Sequence, residues 1–219
     1  TDGGSADGSS GDAGGESAMV GTLPTPCGEG DASGATDQGV TDDAIAISTI
    51  ADPGAQAAPG LNLGVHQAMT ALVAYCNSLG GINGRPLELT LLDAALFNYN
   101  QVVQEACESS FAMVGGGGAL DETGAQTAVD CGLVDVAGFT ISPDKAESDR
   151  VYQPLPNATY QFNVGAARQI VEEHPEAATH AAMIYSNLPV TERQAERQIE
   201  AYEAVGFDFV YEQAAEIGE

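Results

Sequence analysis

The chain has few basic residues, no tryptophan and no long apolar run. Lysine and arginine together number 6, against 32 aspartates and glutamates, which gives a formal net charge of −26. Contact with nucleic-acid phosphates needs clustered lysine and arginine, and so does adhesion to an anionic membrane surface. The composition therefore argues against both partners. No apolar stretch approaches the roughly 20 residues that a helix needs to cross a bilayer.

The cysteines form an even set without a CxxC pair. Zinc sites usually show closely spaced ligand pairs, and the three histidines here are scattered. Two disulfide bonds in an exported protein are the better interpretation, and neither a metal nor another cofactor is expected. The sequence alone leaves three pairings open. The four residues are Cys27, Cys76, Cys107 and Cys131.

The first 36 residues are mostly glycine, serine, aspartate and alanine. Such a segment has too little apolar surface to offset the entropy lost on ordering. We therefore expect residues 1–36 to form a disordered acidic tether. A tether of this kind in an exported protein suggests a lipid anchor just upstream, and this anchor would be the protein's only membrane attachment.

From Val40 onward, short apolar strands alternate with helices. Repeated β-α-β units indicate an α/β fold, with a parallel sheet covered by helices. The pattern ends on a strand with no covering helix, so we expect the chain to be the N-terminal part of a longer protein. The predicted strands are 44–50, 87–92, 111–114, 134–139, 181–185 and 207–211, and the predicted helices are 61–79, 98–110, 123–129, 160–173 and 191–205.

Several segments carry a specific resemblance. Residues 39–45 open a strand, and residues 77–89 end a helix through the turn GGINGR and start a strand that finishes at Asp93. These segments resemble type 1 periplasmic binding proteins of the branched-chain amino acid family, the extracytoplasmic receptors of ABC importers. Residues 182–186 and 204–207 are similar to the first β-α-β unit of that family's second lobe. The resemblance extends from about Gly39 to the end of the chain.

This resemblance implies a three-layer, flavodoxin-like lobe with strand order 2-1-3-4-5, followed by the start of a second, similar lobe. Residues 37–158 would form the leading part of lobe 1. Residues 159–219 would form a crossing and the beginning of an incomplete lobe 2. The ligand is then expected outside the carboxyl ends of the lobe 1 strands, facing lobe 2.

The loops at those strand ends supply the predicted ligand-binding residues. The run from Gly115 to Gly118 is the best candidate, because glycine lets backbone N–H groups approach a ligand and the helix start that follows favours an anion. A tight turn without a ligand is the alternative, and Asp52 has the alternative role of capping a turn. The predicted set is Asp52, Gln56, Phe97, Gly117, Gly118, Ala119, Leu120, Thr140, Ser142 and, in lobe 2, Asn187.

The sequence departs from the family's amino-acid-binding pattern in two places. Gly118, Ala119 and Leu120 stand where such members carry serine or threonine, and no aromatic residue lies near Val190. A less polar or differently charged solute is therefore as good a candidate as an α-amino acid. Thr140 or Ser142 approximates the family's hydroxyl position after the fourth strand.

The implied topology also predicts the disulfide pairing. Right-handed crossovers place the first helix on one face of the sheet and the second and third helices on the other. Cys107 and Cys131 lie on the second and third helices, whereas Cys27 and Cys76 lie at one pole near the first strand. We therefore expect the bonds Cys27–Cys76 and Cys107–Cys131.

The resemblance implies a monomeric, extracytoplasmic protein that delivers a small molecule to an ABC permease. It would be secreted, periplasmic or lipid-anchored on the outer face of the cell membrane. A sensor that signals to a membrane receptor is the alternative. An enzyme is not expected, because the sequence has no Gly-x-Ser-x-Gly elbow, no zinc motif and no GxGxxG after the first strand.

Overall fold

The computed structural model describes residues 19–155, 159 and 161–216. A short hairpin at the start is followed by a larger α/β unit and then by one further β-α-β unit. The elements are β1 (Met19–Val20), β2 (Leu23–Pro24), β3 (Ile45–Ala51), α1 (Leu63–Ser78), β4 (Leu87–Asp93), α2 (Tyr99–Ser109), β5 (Ala112–Val114), α3 (Glu122–Cys131), β6 (Val134–Val136), α4 (Pro143–Ala146), β7 (Val151–Tyr152), α5 (Gly165–Glu173), α6 (Pro175–Ala178), β8 (Ala181–Ser186), α7 (Pro189–Glu203) and β9 (Phe209–Ala215).

The main sheet is parallel throughout, with strand order β4-β3-β5-β6-β7. Counted along this lobe, the order is 2-1-3-4-5, so the flavodoxin-like α/β prediction is confirmed. In the register of the central strand β3, Ile47 lies opposite both Leu89 and Ala112. This topology brings the loops after β3, β4, β5 and β6 to one edge of the sheet.

The two faces of the sheet are packed by different helices. Ile50 and Leu92 pack against Tyr99 and Val103 of α2, in a core that also includes α3. Ile47 points to the opposite face and packs against α1, chiefly Met69 and Val73. Alternate residues of β3 therefore serve the two faces, as the pleat of a strand requires.

Both predicted disulfide bonds are present. Cys27 joins Cys76 with a Cα–Cα distance of 5.1 Å, and Cys107 joins Cys131 at 6.0 Å. The second bond links α2 to α3, which lie side by side on the same face of the sheet. The first bond holds the N-terminal segment against the end of α1.

The predicted tether differs from the structure in its second half. Residues 1–18 lie outside the described residues. From Cys27 onward the chain is fixed to the GGINGR turn: the Gly28 N–H donates to the Gly81 carbonyl at 2.7 Å, and the Arg85 side chain donates to the Ala32 carbonyl at 3.3 Å. Composition alone predicted that the entropy lost on ordering would keep this segment disordered. The disulfide and these hydrogen bonds offset that entropy loss.

Several short elements were not predicted, and some boundaries differ. The strand β7 has two residues and the helices α4 and α6 have four each, which is too short for a hydrophobic period to show. The strand predicted over 134–139 ends at Val136, and the helix predicted from residue 160 begins at Gly165. Of the helices in the described ranges, none combines the length and apolarity that a membrane span needs.

Lobe 2 begins with the predicted β-α-β unit. The strands β8 and β9 pair in parallel, with α7 as the crossover between them. Aromatic side chains pack beside this unit: the rings of Tyr202 and Phe207 lie 5.2 Å apart, and those of Phe162 and Tyr202 lie 5.9 Å apart.

Candidate ligand-binding cleft

A buried aspartate joins three loops at the carboxyl edge of the sheet. Asp52 directly follows β3 and is fully buried. One of its carboxylate oxygens accepts a hydrogen bond from the Leu96 N–H, in the loop after β4, and the other accepts one from the Ala119 N–H, in the loop after β5, both at 2.9 Å. Both oxygens of this predicted ligand residue are thus engaged by the protein. Its direct contact with a ligand stays a prediction.

A second buried aspartate, Asp121, repeats the arrangement one loop further along. Its two oxygens accept hydrogen bonds from the N–H groups of Ile141 at 2.7 Å and Ser142 at 2.9 Å. The sequence analysis missed this residue. The available signal was an aspartate between the glycine run and α3, a position where carboxylates commonly satisfy backbone N–H groups. Ser142 is itself buried, and its hydroxyl caps α4 by accepting from the Lys145 N–H at 3.2 Å.

The glycine run allows close packing within the protein. A Cβ atom on Gly116 would lie 2.5 Å from the Ile50 carbonyl oxygen, and one on Gly118 would lie 2.2 Å from the Tyr99 ring. A Cβ atom on Gly117 would lie 2.7 Å from the Phe139 carbonyl oxygen. These distances support the tight-turn alternative for the run. A ligand contact by Gly117 or Gly118 is untested.

A buried ion pair contacts Tyr99, the residue against which the glycine run packs. The ammonium group of Lys145 lies 2.8 Å from the Asp135 carboxylate and donates to the Tyr99 hydroxyl at 2.5 Å. Burial raises the pKa of Tyr99 to about 12, although Lys145 opposes the shift. Burial also disfavours the charge on Lys145, but Tyr99 and Asp135 outweigh it and raise the pKa of Lys145 above its ordinary value. The pair thus positions the ring against which Gly118 packs.

An apolar cluster joins the two lobes across the carboxyl edge. Leu96 and Leu120 of lobe 1 pack against Val190 at the start of α7, and Leu188 lies beside them. The predicted site residues Ala119 and Leu120 belong to this cluster. The centre of the interlobe cleft is therefore closed by aliphatic side chains.

A cavity of about 720 Å³ lies on one side of this cluster. Gln56 and Phe97, both predicted site residues, line it from lobe 1, and Leu188 lines it from lobe 2. Phe97 is 66% exposed and contributes an aromatic side chain to this lining. This cavity combines an aromatic face, aliphatic side chains and the Gln56 amide.

A smaller cavity of about 390 Å³ lies on the other side of the cluster. Ile141 and Pro143 line it from lobe 1. From α7, an apolar side chain and charged side chains of both signs line it: Val190, Arg193, Glu196, Arg197 and Glu200. The interlobe space thus has two compartments separated by the apolar cluster.

Of the ten predicted site residues, Gln56 and Phe97 line one of the two cavities, and Thr140 and Asn187 belong neither to a cavity lining nor to the apolar cluster. The Thr140 side chain is buried and donates to the Gln153 side chain at 2.7 Å. Asn187 is exposed next to Leu188, and its N–H donates to the Ala215 carbonyl at 2.9 Å. The structure therefore brings Gln56, Phe97, Ala119 and Leu120 to the interlobe space and places Thr140 and Asn187 at its margins.

The sequence matches no protein-family profile and no curated protein. Solved structures do match. They include the branched-chain amino acid binding protein LivJ of Streptococcus pneumoniae in complex with isoleucine (TM-score 0.64, 14% identity, 81% of this chain and 51% of that chain). A fatty acid ABC transporter substrate-binding protein from Thermomonospora curvata matches with a TM-score of 0.65 and 14% identity, over 88% of this chain and 49% of that chain.

A third match is a solute-binding protein of an ABC transporter from R. palustris in complex with 4-hydroxybenzoate (TM-score 0.62, 15% identity, 81% of this chain and 48% of that chain). The chain has the fold of ABC transporter substrate-binding proteins. It spans about half the length of these relatives. At this identity, the likeness establishes the fold and leaves the ligand open.

A metal site would require several clustered side-chain ligands. Within residues 19–155, 159 and 161–216, no group of three or more histidine, cysteine, aspartate or glutamate side chains is placed to hold a metal ion. The side chains that line the two cavities include the Gln56 amide, two guanidinium groups and the carboxylates of Glu196 and Glu200.

Proposed function

We propose that the protein is an extracytoplasmic solute-binding protein that captures a small molecule between its two lobes and delivers it to an ABC importer. The observation that carries the proposal is the cavity of about 720 Å³ at the carboxyl edge of the parallel sheet. Lobe 1 contributes Phe97 and Gln56 to its lining, and lobe 2 contributes Leu188. Parallel α/β sheets bind their ligands at this edge.

The buried aspartates favour a preorganised binding edge. Asp52 and Asp121 together fix the loops after β3, β4, β5 and β6 through four backbone hydrogen bonds. Loops held in this way lose little conformational entropy when a ligand binds, which favours affinity. The aspartates are positioning residues in this proposal.

The ligand is an amino acid, an amide or a small organic acid with a substantial apolar part. The exposed ring of Phe97 and the side chains of Leu96 and Leu188 offer apolar contact, and the Gln56 amide offers one polar contact. The similar proteins named above bind isoleucine, fatty acid and 4-hydroxybenzoate, each of which combines a carboxyl group with an apolar body.

Binding proceeds by hinge closure without covalent chemistry. In this structure, Val190 of lobe 2 packs directly on Leu96 and Leu120 of lobe 1. These contacts stabilise the approach of the lobes, so a ligand that adds contacts between Phe97 and Leu188 shifts the population toward the closed form.

The test is a thermal-shift screen of the full protein against amino acids, their amides, short fatty acids and benzoates. A ligand at 100 times its dissociation constant adds about 2.7 kcal/mol, a shift of several degrees. Phe97→Ala should weaken binding of the stabilising compound about tenfold or more, because an aromatic contact face is lost. Phe111→Ala is the matched control, since Phe111 is also exposed but lies at the start of β5. Stabilisation by no compound class, or equal losses in both variants, would contradict the proposal.

A further inference from the structure

The larger interlobe cavity is lined by no charged side chain among the described residues. Its volume is about 720 Å³, and its lining is aliphatic, aromatic, glycine or amide-bearing. The smaller cavity differs, because two arginines and two glutamates line it. A charged group that enters the larger cavity loses water and gains no counter-charge, which is costly. The lining therefore selects for an uncharged group.

Two carboxamide side chains, those of Gln56 and Asn98, are the polar side chains of this lining. Both residues are exposed, and the Asn98 side chain makes no cap hydrogen bond to α2, which begins at the next residue. Within the part of the chain that the structure describes, neither amide has a hydrogen-bond partner. Each carboxamide offers N–H donors and a carbonyl acceptor. Together they match an uncharged group that also has both functions, such as a primary amide.

The loop that carries Asn98 is held in an uncommon backbone conformation. Ala95 and Leu96 have φ values of +46° and +75°, in the left-handed region that residues with a side chain seldom adopt. The Ala95 N–H donates to the Asp93 carboxylate at 2.8 Å. The Leu96 N–H donates to the Asp52 carboxylate at 2.9 Å. A strained conformation persists only where its surroundings hold it, so a fixed backbone presents Asn98 to the cavity.

The same two carboxylates disfavour an anion in the cavity. Asp52 bonds to the backbone of Leu96, and the Asp93 carboxylate lies against Gly54, where a Cβ atom would be 2.3 Å from its Oδ2. Leu96 and Gly54 both line the cavity. The start of α2 acts in the opposite direction, but a helix end is equivalent to only about half a positive charge. Two full negative charges therefore stand against a carboxylate that has no cationic side chain to pair with.

We propose that Gln56 and Asn98 form a subsite for an uncharged, amide-like head group, with the ring of Phe97 packed against the solute beside it. This inference rests on the proposed solute-binding function and narrows its substrate class. Of the solute classes named above, it favours the amide over the amino acid and the organic acid.

The experiment measures binding of benzamide, benzoate and benzamidine to the full protein by calorimetry. The three compounds share a ring and a planar head group, and they are neutral, negative and positive. A concentration of 0.5 M NaCl shortens the Debye length to about 4 Å, so the preferences report the side chains near the cavity. We expect the wild type to bind benzamide about tenfold or more tightly than either charged compound, because neither charge finds a partner in the lining.

Variants of Asn98 test the subsite directly. Asn98→Ala should weaken benzamide binding about 2- to 10-fold, the range for a neutral hydrogen bond. Asn98→Asp keeps the size of the side chain and should shift the preference toward benzamidine, whose amidinium group forms charge-assisted hydrogen bonds with a carboxylate. Gln104→Ala is the matched control, because Gln104 is an exposed amide on α2 that lines neither cavity. It should leave all three affinities unchanged.

The melting temperature of ligand-free Asn98→Ala should match that of the wild type, because the Asn98 side chain makes no cap hydrogen bond. Tighter binding of benzoate or benzamidine by the wild type would overturn the neutral subsite and leave solute binding standing. Unchanged preferences in Asn98→Asp would do the same. Binding of none of the three compounds, with stabilisation by another compound of the thermal-shift screen, would overturn this proposal alone. Stabilisation by no compound would overturn the solute-binding function on which it rests.

Discussion

The carboxylate of Asp52 accepts a hydrogen bond from the backbone N–H of Ala119 at 2.9 Å, across 67 residues of sequence. It thereby ties the end of the first sheet strand to the end of the glycine run. The other oxygen holds Leu96, so one buried side chain sets the relative position of three cleft loops. The loops at the edge of the cleft are thus held together by hydrogen bonds between a buried carboxylate and backbone N–H groups.

Replacing Asp52 should destabilise the protein. In Asp52→Ala, the N–H groups of Leu96 and Ala119 lose their acceptor in a buried place, which costs about 1–3 kcal/mol for each unsatisfied group. The free energy of unfolding from urea titration measures the loss. Asp93→Ala is the control, because Asp93 ends the adjacent strand, is exposed and bonds only to the nearby Ala95 N–H. A loss as large in the control would contradict a special role for Asp52.

The ion pair of Lys145 and Asp135 should show strong coupling. Asp135→Asn leaves a buried ammonium group without its counter-charge, and we expect a loss of about 3–5 kcal/mol. The double variant Asp135→Leu/Lys145→Met should lose much less than the sum of the single variants, because it leaves no buried charge. A double-mutant cycle by chemical denaturation measures the coupling, and additive effects would show that the pair does not act as a unit.

Tyr99 should make the protein less stable at alkaline pH. Its pKa is raised by burial from 10.0 to about 12, so between these values the folded state keeps a proton that the unfolded state has lost. The free energy of unfolding therefore falls as pH rises through this window, and the raised pKa of Lys145 acts in the same direction. Tyr99→Phe should flatten this decline, whereas Tyr152→Phe, at an exposed tyrosine, should not. Identical slopes in all three proteins would contradict the assignment.

Adding a methyl group at Gly118 should be costly. The new Cβ would lie 2.2 Å from the Tyr99 ring, which is itself fixed by Lys145. We expect Gly118→Ala to lose about 1–3 kcal/mol through overpacking. In Gly64→Ala, by contrast, the new Cβ meets no atom within 4 Å on helix α1, and stability should rise by up to about 1 kcal/mol. Differential scanning calorimetry distinguishes the two directions.

The bond between Cys27 and Cys76 should protect the N-terminal segment from proteolysis. With both residues changed to serine, the hydrogen bonds from Gly28 and Ala32 lose their covalent support, and a glutamate-specific protease should cut faster after the exposed Glu29. The pair Cys107→Ser/Cys131→Ser is the control. The chain-entropy contributions are similar, about 4 kcal/mol for the first bond and about 3.5 kcal/mol for the second. Equal acceleration in both variants would mean that cleavage follows global unfolding.

Much of lobe 1 could be predicted from the sequence. Apolar runs and their periods located the long elements, and the family resemblance supplied the strand order that the structure confirms. Given that order, the handedness of the crossovers was enough to pair Cys107 with Cys131 and Cys27 with Cys76. Short elements such as β7 were not predicted, because two residues are too few to show a hydrophobic period.

The candidate site was predicted less completely. Gln56 and Phe97 reach the interlobe cavity, as expected from loops at the carboxyl ends of strands. The hydrogen bonds that Asp121 accepts could not be predicted, because nothing in the local sequence tells which distant N–H groups a carboxylate will meet. Ile141, which donates to one oxygen of Asp121, lies 20 residues further along the chain.

The sequence by itself determined the acidic surface, the parallel α/β class and the loops from which a ligand site must be drawn. These properties follow from composition, hydrophobic period and the direction of parallel strands. Only the tertiary structure decided which of those loop residues are engaged internally and which face the cleft. Asp52 and Phe97 both follow strands. Asp52 is buried and accepts hydrogen bonds from two N–H groups, whereas Phe97 is 66% exposed. That difference depends on long-range packing, which local sequence does not encode.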